Sequence, residues 1–152
     1  MNFESEELKW NPGTKIVFKG YINESATLPL IKGEGPYILD LDEVTGLNSL
    51  GTRTWCQWIT MLSNRGEVKI IKTPAIFIKC FNNVSGSLPA NCKVQSFYVP
   101  FISPSDNERK DVLVTREQVT PDGQLLMPPP KSATGEELEM DVMDSYFQFL
   151  SA

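Results

Sequence analysis

The chain has 152 residues, of which 41% are hydrophobic and 22% charged. That is enough apolar material for one domain with a buried core, and too much for a disordered chain. Its net charge of −5, with no basic cluster, argues against nucleic acid or an anionic membrane surface as the main partner. It contains no histidine, which excludes Ser-His-Asp and Cys-His catalysis, imidazole zinc sites and histidine general bases together.

An enzyme built from this chain would depend on carboxylates, Lys, Tyr or Cys alone, and no residue spacing supports one. A non-enzymatic protein is expected, with neither cofactor nor metal. Cys56, Cys80 and Cys92 are odd in number and form no CxxC pair. Cys56 and Cys80 fall in apolar stretches and read as small buried residues rather than reactive thiols. No apolar run approaches the ~20 residues that span a bilayer. The first residues, Met1 to Glu7, are acidic where a signal peptide is basic, so a cytoplasmic location is expected. Acidic residues gather at both ends (Glu4, Glu6 and Glu7, then Glu136, Glu137, Glu139, Asp141 and Asp144) and read as solvated surface.

In chain order, residues 1–13 read as a lead-in. Lys15 to Ile22 is a strand in which Ile16, Phe18 and Tyr21 are candidate core residues and Gly20 marks a bend or a close backbone approach. Asn23 to Leu30 is a turn or short helix, and Lys32 to Pro36 a turn. Tyr37 to Leu41 is a second strand, apolar enough to be central, followed by a short acidic turn. Leu50 to Leu62 is the clearest helix: Trp55, Trp58, Ile59 and Leu62 recur at i, i+3, i+4 and i+7. Asn48 or Ser49 is its natural N-cap, and Asn64-Arg65-Gly66 ends it.

Glu67 to Lys72 is a third strand. Ala75 to Asn83 is a second helix, with Pro74 at N1 and a core face of Ile76, Phe77, Cys80 and Val84. Lys93 to Phe101 is a fourth strand. This alternation predicts an α/β layer fold. Beyond it, Asp111 to Thr115 and Gln124 to Met127 form a candidate hairpin. Leu138 to Leu150 is a candidate closing helix anchored by Leu138, Met143, Phe147 and Leu150. Its aromatic residues occupy more than one face, so it packs on its own domain or on a second subunit in a homodimer.

The first hundred residues resemble the STAS family, the fold of bacterial anti-sigma-factor antagonists and of sulfate-transporter cytoplasmic domains. The resemblance rests on Gly20-Tyr21-Ile22-Asn23-Glu24 in one strand, Ile38-Leu39-Asp40-Leu41 in the next, and Gly46-Leu47-Asn48-Ser49-Leu50-Gly51-Thr52-Arg53 opening the helix. In the antagonists the same site reads Asp-Ser-Ser-Gly, and its first serine is phosphorylated by a kinase that is also the anti-sigma factor. By position Asn48 stands for that Asp, Ser49 for the phosphorylated Ser, Leu50 for the second Ser and Gly51 for the Gly. Asn48 removes a charge beside the serine, and Leu50 changes the polar surface that a kinase docks against.

A narrower resemblance covers the whole chain. It is to a bacterial group of STAS-like proteins with Asn-Ser-x-Gly-x-Arg-x-Trp at the helix, here Asn48 to Trp55, and with an ending like Met140 to Leu150. Relatives in that group carry cysteine pairs that suggest a small zinc ribbon. This chain has no cysteine after Cys92, so no zinc is expected.

The resemblance implies a STAS-like sheet with helices packed against it over residues 1–101. A C-terminal extension over 102–152, hairpin plus helix, would pack on the same domain. It also implies a protein partner, of the kinase or anti-sigma kind or another signalling protein. Partner- or ligand-binding candidates are Asn48, Leu50, Gly51, Arg53 and Asp42, with Ser49 as candidate phosphoacceptor. Each has a plainer reading. Asn48 or Ser49 caps the helix. Arg53, a cation disfavoured in the first helical turn, forms an ion pair with Asp40, Asp42 or Glu43. Trp55 and Trp58 are core rather than interface, and Asn82 and Asn83 end a helix rather than line a ligand loop. The expected function is regulation by protein–protein contact at Asn48 to Arg53, with phosphorylation of Ser49 as the switch. A small-ligand module is the alternative, holding a nucleotide, anion or lipid in a pocket lined by Phe18, Tyr21 and Trp55.

Overall fold

The computed structural model describes residues 2–151. It is a mixed α/β fold with two sheets. The first has five strands in the order β1 (Glu4–Trp10), β2 (Gly13–Ile22), β3 (Tyr37–Leu47), β4 (Val68–Ile71) and β5 (Cys92–Val94). β1 runs antiparallel to β2, and the remaining pairs are parallel. Two helices, α1 (Ser49–Arg65) and α2 (Ala75–Asn83), connect β3 to β4 and β4 to β5. The second sheet has three antiparallel strands, with β6 (Ser96–Ile102) between β7 (Arg109–Thr115) and β8 (Glu139–Met140). A 3₁₀ helix, Asp144–Ser151, closes the chain.

Each sheet has its own core. Ile16, Phe18, Leu39, Val68 and Ile70 meet the stripe Trp55, Trp58, Ile59 and Leu62 of α1 and Phe77 of α2. Both indoles have apolar surroundings and a satisfied N–H: Trp55 Nε1 donates to Ser87 O at 2.9 Å and Trp58 Nε1 to Pro29 O at 2.7 Å. The second core gathers Phe97, Val99 and Phe101 of β6, Val114 of β7, and Phe147, Phe149 and Leu150 of the tail, with Ile78 of α2.

Several expected boundaries move. The lead-in is an edge strand, β1, whose backbone is paired from Glu4↔Lys19 to Trp10↔Gly13. The second strand runs on through the acidic stretch to Leu47, because β2 pairs with it up to Ile22↔Leu47. Two register shifts along that pairing make room for the polar residues, so Asp42 and Glu43 are both exposed while Val44 and Gly46 return to the interior. Along β2 the alternation is unbroken, Ile16, Phe18, Gly20 and Ile22 all facing inward, so Ile22 rather than Tyr21 is in the core and the Tyr21 ring lies over Gly46. At Gly20 (φ 91°) the backbone of Asn2 approaches where a Cβ would stand, the close approach its sequence position suggested.

Pro74 stands at the N-cap of α2, one residue before N1. That helix buries Phe77, Ile78 and Cys80, leaving Ile76 and Val84 exposed, because it serves both cores at once. The fourth strand breaks at Gln95 into β5 and β6, which belong to different sheets. β7 pairs with β6, not with residues 124–127, where the backbone forms an isolated bridge, Val119↔Leu125. The closing helix is a short strand followed by a 3₁₀ turn. Its three-residue period puts Phe147 and Leu150 on one buried side, while Met143 stays 79% exposed. The tail packs on its own chain, against α2.

Candidate functional site

The junction of β3 and α1 is tight: only Asn48 lies between strand and helix. Asn48 has the extended backbone of an N-cap, and its Oδ1 accepts from Gly51 N at 2.8 Å. Its own N–H donates to Ile22 O at 3.3 Å, tying the cap to the end of β2. Its Nδ2 donates to Glu24 Oε2 at 2.8 Å, and this bond, more than any other, holds the Glu24 carboxyl below the usual range. Asn48 therefore uses both ends of its amide in structure.

That leaves Ser49 free. It is the first residue of the helix and exposed, and among the described residues its hydroxyl has no hydrogen-bond partner. Leu50, 51% exposed, stands beside it. Gly51 is buried against the Ile22 carbonyl, so its role is steric. Arg53 is exposed and, among the described residues, makes no ion pair. The carboxylates expected to bind it are engaged elsewhere: Asp40 lies 4.0 Å from Lys15, Glu43 lies 3.4 Å from Lys19, and Asp42 accepts from the Tyr98 hydroxyl. The exposed face of α1 runs on through Gln57, Thr60 and Met61, and the helix carries no Asp or Glu at all.

Asp42 does not belong to this group. It sits six residues before Asn48 on an extended strand, up to about 20 Å away along the backbone. Its partner Tyr98 comes from the second sheet, and a groove of about 300 Å³ bounded by Asp42, Val44, Pro74, Tyr98 and Asp111 separates the two elements. The hydrogen bond to Asp42 is the main reason the Tyr98 hydroxyl is pushed up to about 12, with burial and the charges of Asp42, Asp40 and Asp111 adding to it.

Compared with protein-family models, curated proteins and solved structures, the chain matches none of the three. The site is therefore read from its own geometry. The pocket expected around Phe18, Tyr21 and Trp55 does not form: Phe18 and Trp55 are sealed in the core, while Tyr21 lies outside over Gly46. Among the described residues no helix is long and apolar enough to cross a membrane.

Sequence reasoning missed Arg65. At the end of α1 it donates to Ile31 O at 2.6 Å and Gly33 O at 3.0 Å and lies over the Tyr37 ring, 5.8 Å from its centroid. A cation in the last turn of a helix was its only signal, and that reads as a dipole partner.

Proposed function

We propose that the protein is a STAS-like regulatory domain, acting through protein–protein contact at the exposed start of α1, with phosphorylation of Ser49 as its switch. One observation carries the reading. Asn48 supplies the helix cap, so Ser49 presents an unbonded hydroxyl at the positive end of a seventeen-residue helix. A phosphate there would add about −1.5 to −2 charges. It would stand between Arg53, four residues on, and Glu24, which holds Asn48. Attraction to the first and repulsion from the second would change the surface a partner meets without any new fold. The exposed face from Leu50 to Met61 supports the reading too. It offers Leu, Met and one free Arg with no acid, the composition of an interface rather than of ordinary surface.

The arrangement of strand, helix start and second helix agrees with the STAS resemblance of the sequence. The partner expected is a kinase of the anti-sigma kind or another signalling protein. The test is intact-protein and peptide mass spectrometry of the protein from its own cells, with co-purified proteins identified. Phosphate on Ser49 together with a kinase in the eluate is the expected result. If Ser49→Asp and Ser49→Ala capture the same partners as the wild type, in the same amounts, the switch is refuted.

A further inference from the structure

We propose that the cleft between α2 and the terminal 3₁₀ helix binds an amphiphilic anion, an apolar body carrying one carboxylate-type head. This site is separate from Ser49, and the inference does not depend on the function proposed for it.

The cleft encloses about 550 Å³, within the about 300–1,000 Å³ typical of small-molecule sites. Its apolar lining comes from three stretches, Ala75 and Ile76 of α2, Pro100 of β6, and Val142 and Met143 leading into the tail, beside the polar Asn82, Asn83, Ser145 and Gln148. Ile76 and Met143 are two of the chain's exposed large hydrophobic residues, at 38% and 79%, and here they border the same space. A ligand lying between them would cover surface that folding leaves wet.

The polar groups define the head. Lys79 lies one turn along α2 from Ala75 and, among the described residues, forms no ion pair. Arg109 lines the cleft with Asp141, its Nη2 2.6 Å from Oδ2. The charged lining is thus Lys79 and Arg109 against Asp141, a net positive spot on a chain whose total charge is −5. The cleft runs along the flank of α2 from Ala75 to Asn83, whereas the helix's N-cap, Pro74, borders the groove that holds Asp42 and Asp111.

The tail that forms the far wall is not fully satisfied against α2. Asn82 Nδ2 donates to Tyr146 O at 2.9 Å, which fixes the amide's orientation, while Asn82 Oδ1 is buried with no donor. That oxygen calls for a donor, which a carboxylate cannot supply, so the head belongs with Lys79 and Arg109 and not with Asn82.

The test is methyl NMR of the full chain, titrated separately with octanoate, octanol and octyltrimethylammonium. Octanoate is expected to shift the methyl signals of Ile76, Val142 and Met143. Octanol should bind more weakly, and the cation should have no effect. Lys79→Glu, a change at an exposed position, is expected to weaken octanoate by about fivefold. Ile76→Glu should remove the Met143 shift without altering the signals of the first core. The proposal fails if octanoate moves none of these methyls, if octanol binds equally well, or if Lys79→Glu leaves octanoate binding unchanged.

Discussion

The Cβ that Gly51 lacks would lie 2.6 Å from the carbonyl carbon of Ile22, and closer still to its oxygen. The first turn of α1 therefore rests directly on the end of β2, and the glycine of the Asn-Ser-x-Gly sequence is there for contact between backbones. Two effects compete in Gly51→Ala. Helix propensity favours alanine by about 1 kcal/mol. The overlap is with backbone, which cannot swing aside, and overpacking of this kind costs about 1–3 kcal/mol. A net loss of stability is expected in denaturant unfolding. A variant as stable as the wild type would mean that β2 and α1 separate easily and that the glycine has some other role.

The cap at Asn48 and the phosphoacceptor proposed at Ser49 are neighbouring residues, which mutation can separate. Asn48→Ala removes the bond to Gly51 N and the link to Glu24, and should cost about 1 kcal/mol. Ser49→Ala removes an exposed hydroxyl with no partner and should stay within about 0.5 kcal/mol of wild type. Paired unfolding curves check this. If Ser49→Ala is the more damaging change, the serine is the cap and the case for a free phosphoacceptor collapses.

The elements legible in the sequence were those whose apolar period matched one core. The stripe of α1 and the run Tyr37 to Leu41 are of that kind. β1 was hidden because five of its seven residues are polar or charged, leaving Leu8 and Trp10 as its only large apolar side chains. It is an edge strand defined by the pairing β2 offers, and charge on an edge discourages further pairing. The tail was misread for a different reason: Phe147, Phe149 and Leu150 serve a second core, whose strands come from three separate stretches. Local periodicity carries no information about such a meeting. The same holds for Asp42. Its closeness in sequence to Asn48 suggested one site, but the bulged extension of β3 carries it to Tyr98.

The cysteines should differ in reactivity. Burial pushes the Cys92 thiol up to about 12, only partly offset by a hydrogen bond with Ser63. Burial also raises Cys80, which is 7% exposed. Cys56 is raised too, but it is half-buried and the most accessible of the three. Reaction requires a thiolate that the reagent can reach. Near neutral pH an aromatic disulfide reagent should label Cys56 in the folded protein, and Cys80 and Cys92 only after unfolding. Labelling followed by peptide mapping decides it. Early modification of Cys92 would mean that β5 opens from the sheet edge without global unfolding.

The Tyr98–Asp42 bond joins the two sheets, so its titration should report on their association. Ionising Tyr98 surrenders the proton it donates to Asp42 and sets two negative charges side by side. The folded value, about 12, lies above the about 10 of an unfolded tyrosine. The stabilisation from this pair is therefore complete below about pH 10 and lost as the pH rises through about 12. Tyr146, raised still further by its burial, should remain protonated across that window. Asp42→Asn keeps an acceptor but removes the charge, so it should bring the Tyr98 transition down towards about 10. NMR of ring-labelled tyrosine, with Tyr98→Phe to assign the signal, follows the titration directly. A Tyr98 that ionises near 10 in the wild type, or is indifferent to Asp42→Asn, would show that the bond does not hold in solution and that the sheets are joined through Phe97 and Thr73 instead.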